Sequence, residues 1–94
     1  MYEEGSQIRR SSKSVAAQIV EGYALRRYKN EYVHYLTRAY ASNMETKAHL
    51  DLLFETSSLK DEVAYKKLEG DIVDLNRMLF AFIDSVEKGH RSQK

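Results

Sequence analysis

Not one proline interrupts this chain, and its four glycines, Gly5, Gly22, Gly70 and Gly89, stand far apart. Small strand-rich domains need frequent turn residues, so sparse punctuation over ninety-four residues favours a few long helices. Apolar spacing agrees with this. Ile8, Ser12, Val15, Ala16, Ile19, Val20 and Tyr23 recur at intervals of three and four, the period that puts side chains on one helical face. The spacing predicts a first helix over 6–21, with Ser6 as its N-cap and Gly22 as the residue after its end.

A second stripe, Tyr32, Val33, Leu36, Ala39, Tyr40, Met44, Leu50, Leu53 and Phe54, predicts a helix over 29–56, with Lys47 snorkelling from the edge of its buried face. A third stripe, Val63, Leu68, Ile72, Leu75, Leu79, Phe82, Ile83 and Val86, predicts a helix over 60–88, opened by Ser58-x-x-Asp61 at capping-box spacing. Gly70 weakens that helix by about 1 kcal/mol relative to alanine, and residues 89–94 read as a solvated tail. The fold class is therefore all-α: an up-down antiparallel helical bundle in a single domain, 1–94. At about 1.5 Å per residue the second helix spans roughly 40 Å, too long for a compact globule of this size to cover. Association with other helices is the simplest way to bury its stripe.

Charged residues are 31% and hydrophobic ones 43%, the balance of a folded globular chain. No apolar run reaches the roughly 18 residues a membrane span needs, and the first five residues are not those of a signal peptide. No membrane partner is expected, and without cysteines there are no disulfides; the default compartment is the cytoplasm.

No Ser/His/Asp or Cys/His constellation and no glycine-rich phosphate loop can be read, so no catalytic residues, cofactor or metal are assigned. Ser11, Ser12 and Ser14 read as small residues that let helices approach closely. Glu31 and His34 have the Glu-x-x-His spacing of di-iron bundles, but such a site needs two of these motifs and two further carboxylates. A metal-dependent enzyme using them is the weakest of the readings. Glu45 and His49, four apart, read as a helix-surface pair.

Net charge is only +1, yet residues 1–50 carry eight Lys/Arg against five Asp/Glu, and residues 51–94 seven against nine. Arg9, Arg10, Lys13, Arg26, Arg27 and Lys29 face one acid, Glu21, between Ser6 and Lys29, with Tyr23, Tyr28, Tyr32 and Tyr35 interleaved or just beyond. Basic side chains neutralise phosphates and tyrosines stack on unpaired bases, so these six are the candidate nucleic-acid-binding residues. The competing reading is a solvated face, or one paired with acids of a neighbouring copy.

The run Ser6-Gln7-Ile8-Arg9-Arg10-Ser11-Ser12-Lys13-Ser14-Val15, then Ile19-Val20-Glu21-Gly22-Tyr23, resembles the signature of the four-helix bundle family of 23S rRNA intervening-sequence proteins. Lys29-Asn30-Glu31-Tyr32 with Leu36, Ala39-Tyr40-Ala41-Ser42 with Glu45, and Arg77-Met78-Leu79 extend the likeness to Lys88. Ala16 departs from the family's proline, Gln18 from its asparagine and Ala41 from its glycine. The family's helix ahead of Gln-Ile-Arg-Arg has no counterpart here, because only Met1 to Gly5 precede the motif. Three helices are thus expected where the family has four, with a groove filled by self-association. The resemblance implies assembly into a ring, typically a homopentamer, and a nucleic-acid-binding role for RNA or DNA, with Arg9, Arg10, Arg26 and Arg27 the first positions to test. A related group, the accessory variability determinant proteins of diversity-generating retroelements, works with a reverse transcriptase. The alternative function is a structural or protein-binding module, such as a partner of a reverse transcriptase, without nucleic-acid contact.

Overall fold

The computed structural model describes residues 2–56 and 61–89, with side chains from Ser6 onward. Three helices, α1 (Tyr2–Ala24), α2 (Lys29–Glu55) and α3 (Glu62–Gly89), account for nearly all of them, and no strand occurs among the described residues. The second and third helices start and stop within two residues of the expected bounds. The first differs at both ends. Ser6 lies inside α1 and caps nothing, because helical backbone already runs from Tyr2. Gly22 is also helical, and buried. A Cβ there would stand 3.1 Å from the Cβ of Tyr35, so this glycine lets α1 and α2 close together just before the turn.

Local bonds fix the turns. The Leu25 N–H donates to the Gly22 carbonyl at 3.0 Å and the Tyr28 N–H to that of Leu25 at 2.9 Å. Tyr28 then opens α2 in an extended conformation without a side-chain cap. α3 is capped by Asp61 itself, whose Oδ1 accepts the Ala64 N–H at 3.1 Å. The expected partner in that box, Ser58, lies outside the described residues, as do residues 90–94 of the expected tail.

Cross-helix hydrogen bonds show that neighbours run antiparallel. Ser11 meets Thr46 (2.6 Å) and Ser14 meets Ser42 (3.1 Å). On the other side of α2, Asn43 reaches Asn76 (2.9 Å) while Asp51 reaches Tyr65 (2.7 Å). α1 and α3 each pack along α2 and barely touch one another. The result is a thin slab, 52 × 20 × 13 Å, with a radius of gyration of 15.3 Å, against about 12 Å for a compact chain of this length.

Val15, Tyr32, Leu36, Ala39 and Leu79 form the buried core, flanked by Ile19, Tyr40, Leu75, Ile83 and Val86. Several stripe positions are corrected. Met44, read as core, is 50% exposed on the back of α2, and Val20, Tyr23 and Val63 are also exposed. Their interior places go to Ser11, Asn43 and Thr46, which are buried because they satisfy one another and nearby carbonyls. Of the three serines, Ser11 and Ser14 sit at the close α1–α2 contact, whereas Ser12 is exposed beside the groove described next. Gln18 is the imperfect member of this seam: its Oε1 is buried without a partner among the described residues. Lys47 is half-buried, and at the edge of the α2–α3 contact its Nζ bridges Asp51 (2.8 Å) on α2 and Glu69 (3.6 Å) on α3.

Because α1 and α3 splay apart, an apolar groove runs between them. Two cavities along it, of about 260 and 510 Å³, are walled by Ile8, Val15 and Ile19 of α1 and Leu68, Leu75, Met78 and Phe82 of α3, with Leu36, Asn43 and Leu50 of α2 as the floor.

Candidate nucleic-acid interface

The six candidate cations fall into two clusters. Arg9, Arg10 and Lys13 are exposed on the outer side of α1, where with Ser6 they surround a shallow depression of about 210 Å³. Arg26, Arg27 and Lys29 lie at the α1–α2 turn, about 20 Å further along at helical rise. Exposed Ala16, Ala17 and Val20 separate them. Among the described residues none of the six makes an ion pair, whereas Lys47, Lys67, Arg77 and Lys88 each lie within 4.0 Å of a carboxylate. The arginines of α1 therefore differ from the self-neutralised charges of α3.

Arg26 has a prior role. Its Nη1 donates to the Tyr23 carbonyl at 3.0 Å and its guanidinium stands 4.0 Å from the Tyr23 ring centroid. It thus closes the C-terminus of α1, where a cation and an extra donor are both favourable. Arg27 is exposed and Lys29 half-buried at the start of α2.

The tyrosines divide as well. Tyr23 and Tyr28 are 57% and 61% exposed beside the turn, each with a ring face available for stacking, but Tyr32 is 6% exposed. It packs edge-on to Phe82 in the core, where burial raises its phenol above the ordinary value, helped by Tyr23 and opposed by Arg26. It is no stacking platform. Arg38, absent from the sequence-derived set, lies exposed on α2 with its guanidinium 5.9 Å from the Tyr35 ring. Its isolation among uncharged residues in the sequence hid it.

Opposite polarity marks the far end of the slab. Asp51, Glu55, Asp61, Glu62 and Glu69 gather where α2 meets α3. There the Tyr65 hydroxyl donates to Asp51 (2.7 Å) and its ring stacks on Phe54 at 4.1 Å. That bond, reinforced by burial and the charge of Asp51, pushes the Tyr65 phenol up to about 12. Burial raises Asp51, but hydrogen bonds from Lys47 and Tyr65 outweigh it and hold the carboxyl below its ordinary value. Glu31 and His34 are both exposed, with His34 edge-on to Tyr35, and no three His, Cys, Asp or Glu converge on a metal-sized site among the described residues. Glu45 and His49 pair at 3.6 Å as a surface contact. No described helix is long and apolar enough to cross a membrane.

These features define an all-helical bundle with a basic edge whose six cations make no ion pair among the described residues. The chain belongs to the 23S rRNA-intervening sequence protein family, whose model matches residues 1–81. No curated protein gives a match, and no solved structure does either.

Proposed function

We propose that this protein is a non-catalytic, self-assembling helical bundle that binds RNA or DNA through the outer face of α1 and the α1–α2 turn. One observation carries the reading: among the described residues Arg9, Arg10, Lys13, Arg27 and Lys29 make no ion pair, and exposed Tyr23 and Tyr28 stand at the turn with Arg27 and Lys29, whereas Lys47, Lys67, Arg77 and Lys88 each pair with a carboxylate. Phosphates neutralise such a row and unpaired bases stack on the two phenol rings. Arg26 contributes by holding Tyr23 and the turn in place. The ring assembly implied by the family resemblance would repeat this edge around its circumference and multiply weak contacts.

The test is fluorescence anisotropy with a labelled single-stranded RNA and a matched duplex DNA. Affinity should fall steeply as salt rises, with a log–log slope of about −0.7 per phosphate contact for the single strand. Replacing Arg9, Arg10, Arg27 and Lys29 by glutamine should abolish binding with an unchanged circular-dichroism spectrum; Arg26 is left intact because it caps α1. No binding to either nucleic acid at low salt would overturn the proposal.

A further inference from the structure

The groove between α1 and α3 has a match on the opposite face of the same molecule. Thr37, Ala41, Met44, Ala48 and Leu52 recur at intervals of three and four on α2, and all five are exposed. Leu36, Asn43 and Leu50 of that helix floor the groove, so this second stripe lies on the far side of α2 from it. It forms a ridge of small and apolar residues about 23 Å long at helical rise, against about 21 Å for the groove wall from Leu68 to Phe82. Two alanines keep the ridge narrow enough for a close helix approach.

Charge supplies a polarity. Arg9 lies one helical turn from Ser12 on the α1 rim of the groove, exposed and without an ion pair among the described residues. On α2, Ser42 and Thr46 face α1 whereas Asn43 and Lys47 face α3. Glu45, beside Ser42 and Thr46, therefore flanks the ridge on the α1 side, and its side chain is 58% exposed. When the α2 of a second copy enters the groove parallel to the first, its Glu45 comes to the Arg9 rim. The antiparallel insertion would bring Glu45 to α3, beside Asp71 and Asp74.

We infer that copies of this chain assemble head to tail, the α2 ridge of one seated in the α1–α3 groove of the next, with Glu45 of one copy facing Arg9 of its neighbour. The inference specifies the contact behind the self-assembly proposed above and rests on it. Such a heterologous contact makes a closed ring if its rotation closes and a filament if it does not. Arg10, Arg27 and Lys29 stay outside it, so Arg9 is the one proposed phosphate-binding cation that assembly also uses.

Two variants test the geometry by sedimentation and light scattering. Ala48→Glu spoils the ridge and Met78→Glu, 66% exposed in the wild type, spoils the groove; neither position is part of the buried core. Each variant alone should be monomeric. Mixed, they should form a one-to-one dimer, since the intact ridge of Met78→Glu fits the intact groove of Ala48→Glu. Leu52→Glu in place of Ala48→Glu should behave alike, which guards against a folding defect in one variant. Arg9→Glu and Glu45→Arg should each weaken assembly, and the two together in one chain should restore it. A monomeric wild type at high micromolar concentration overturns both self-assembly and this contact. A wild-type oligomer that survives Ala48→Glu and Leu52→Glu, or two monomeric variants that never pair on mixing, overturns this contact alone.

Discussion

Asn43 carries more structural information than any apolar residue of α2. Its Nδ2 donates to the Ile72 carbonyl and to Asn76 Oδ1, both at 2.9 Å, from a position 3% exposed. Asn43→Ala leaves the Asn76 acceptor half-buried and unpaired, and should cost about 1–3 kcal/mol in urea denaturation. The double replacement Asn43→Leu/Asn76→Leu removes donor and acceptor together and should recover most of that loss; equal destabilisation by both variants would refute the account. The seam also explains why the reading of α2 placed Met44 inside. Period alone ranks a methionine above an asparagine or threonine, and nothing in one sequence says that Asn43, Thr46 and Ser11 will find partners on other helices. Tyr65 gives a second test. Its raised phenol stabilises the neutral form, so its contribution is complete below the ordinary value of 10.0 and is lost as pH rises through about 12. Asp51, held low, contributes above the ordinary carboxylate value and loses that contribution as pH falls through its depressed one. Ultraviolet titration should therefore find a late-ionising tyrosine that disappears in Tyr65→Phe, and Asp51→Asn should return it toward the others.

The two inner glycines separate helix propensity from helix packing. At Gly70 a Cβ would meet nothing within 4 Å, in the exposed interior of α3. Gly70→Ala should stabilise the protein by about 0.5–1 kcal/mol, read as a raised thermal midpoint. At Gly22 the same atom already crowds Tyr35, and Gly22→Leu should force α1 and α2 apart at a cost of about 1–3 kcal/mol or more. The existence and order of the helices were legible because their apolar periods are long and no proline competes with them. The ends of α1 were less so. Ser6 looks like a cap and Gly22 like a stop only when local preferences are read without the helix packed beside them, and that packing carries the helix through both. The basic cluster was legible as composition. Its division into two groups, the capping role of Arg26 and the neighbouring Arg38 all depend on how α1 and α2 lie side by side.

At the scale of the molecule the decisive quantity is how little is buried. Among the described hydrophobic residues only Val15, Tyr32, Leu36, Ala39, Leu50 and Leu79 are buried, while Met78, Phe80, Phe82, Leu68 and Leu52 remain exposed on a slab 13 Å thick. A lone chain of this shape forgoes much of the apolar burial, at about 25 cal/mol per Å², that usually offsets the conformational entropy of folding. Its stability should therefore depend on protein concentration, as expected where folding is coupled to association. A hundredfold rise in concentration should lift the thermal midpoint by on the order of 5 °C or more, given the usual sensitivity of a domain this size. Monomeric variants of the ridge or groove should melt at a lower temperature that does not move with concentration. The assembled wild type should then show no excess binding of an apolar dye over the unfolded chain's baseline, whereas the Ala48→Glu monomer, whose groove is intact but empty, should bind it. A wild-type midpoint that is the same at every concentration would mean that the three helices suffice by themselves, and that the exposed groove and ridge are tolerated in isolation.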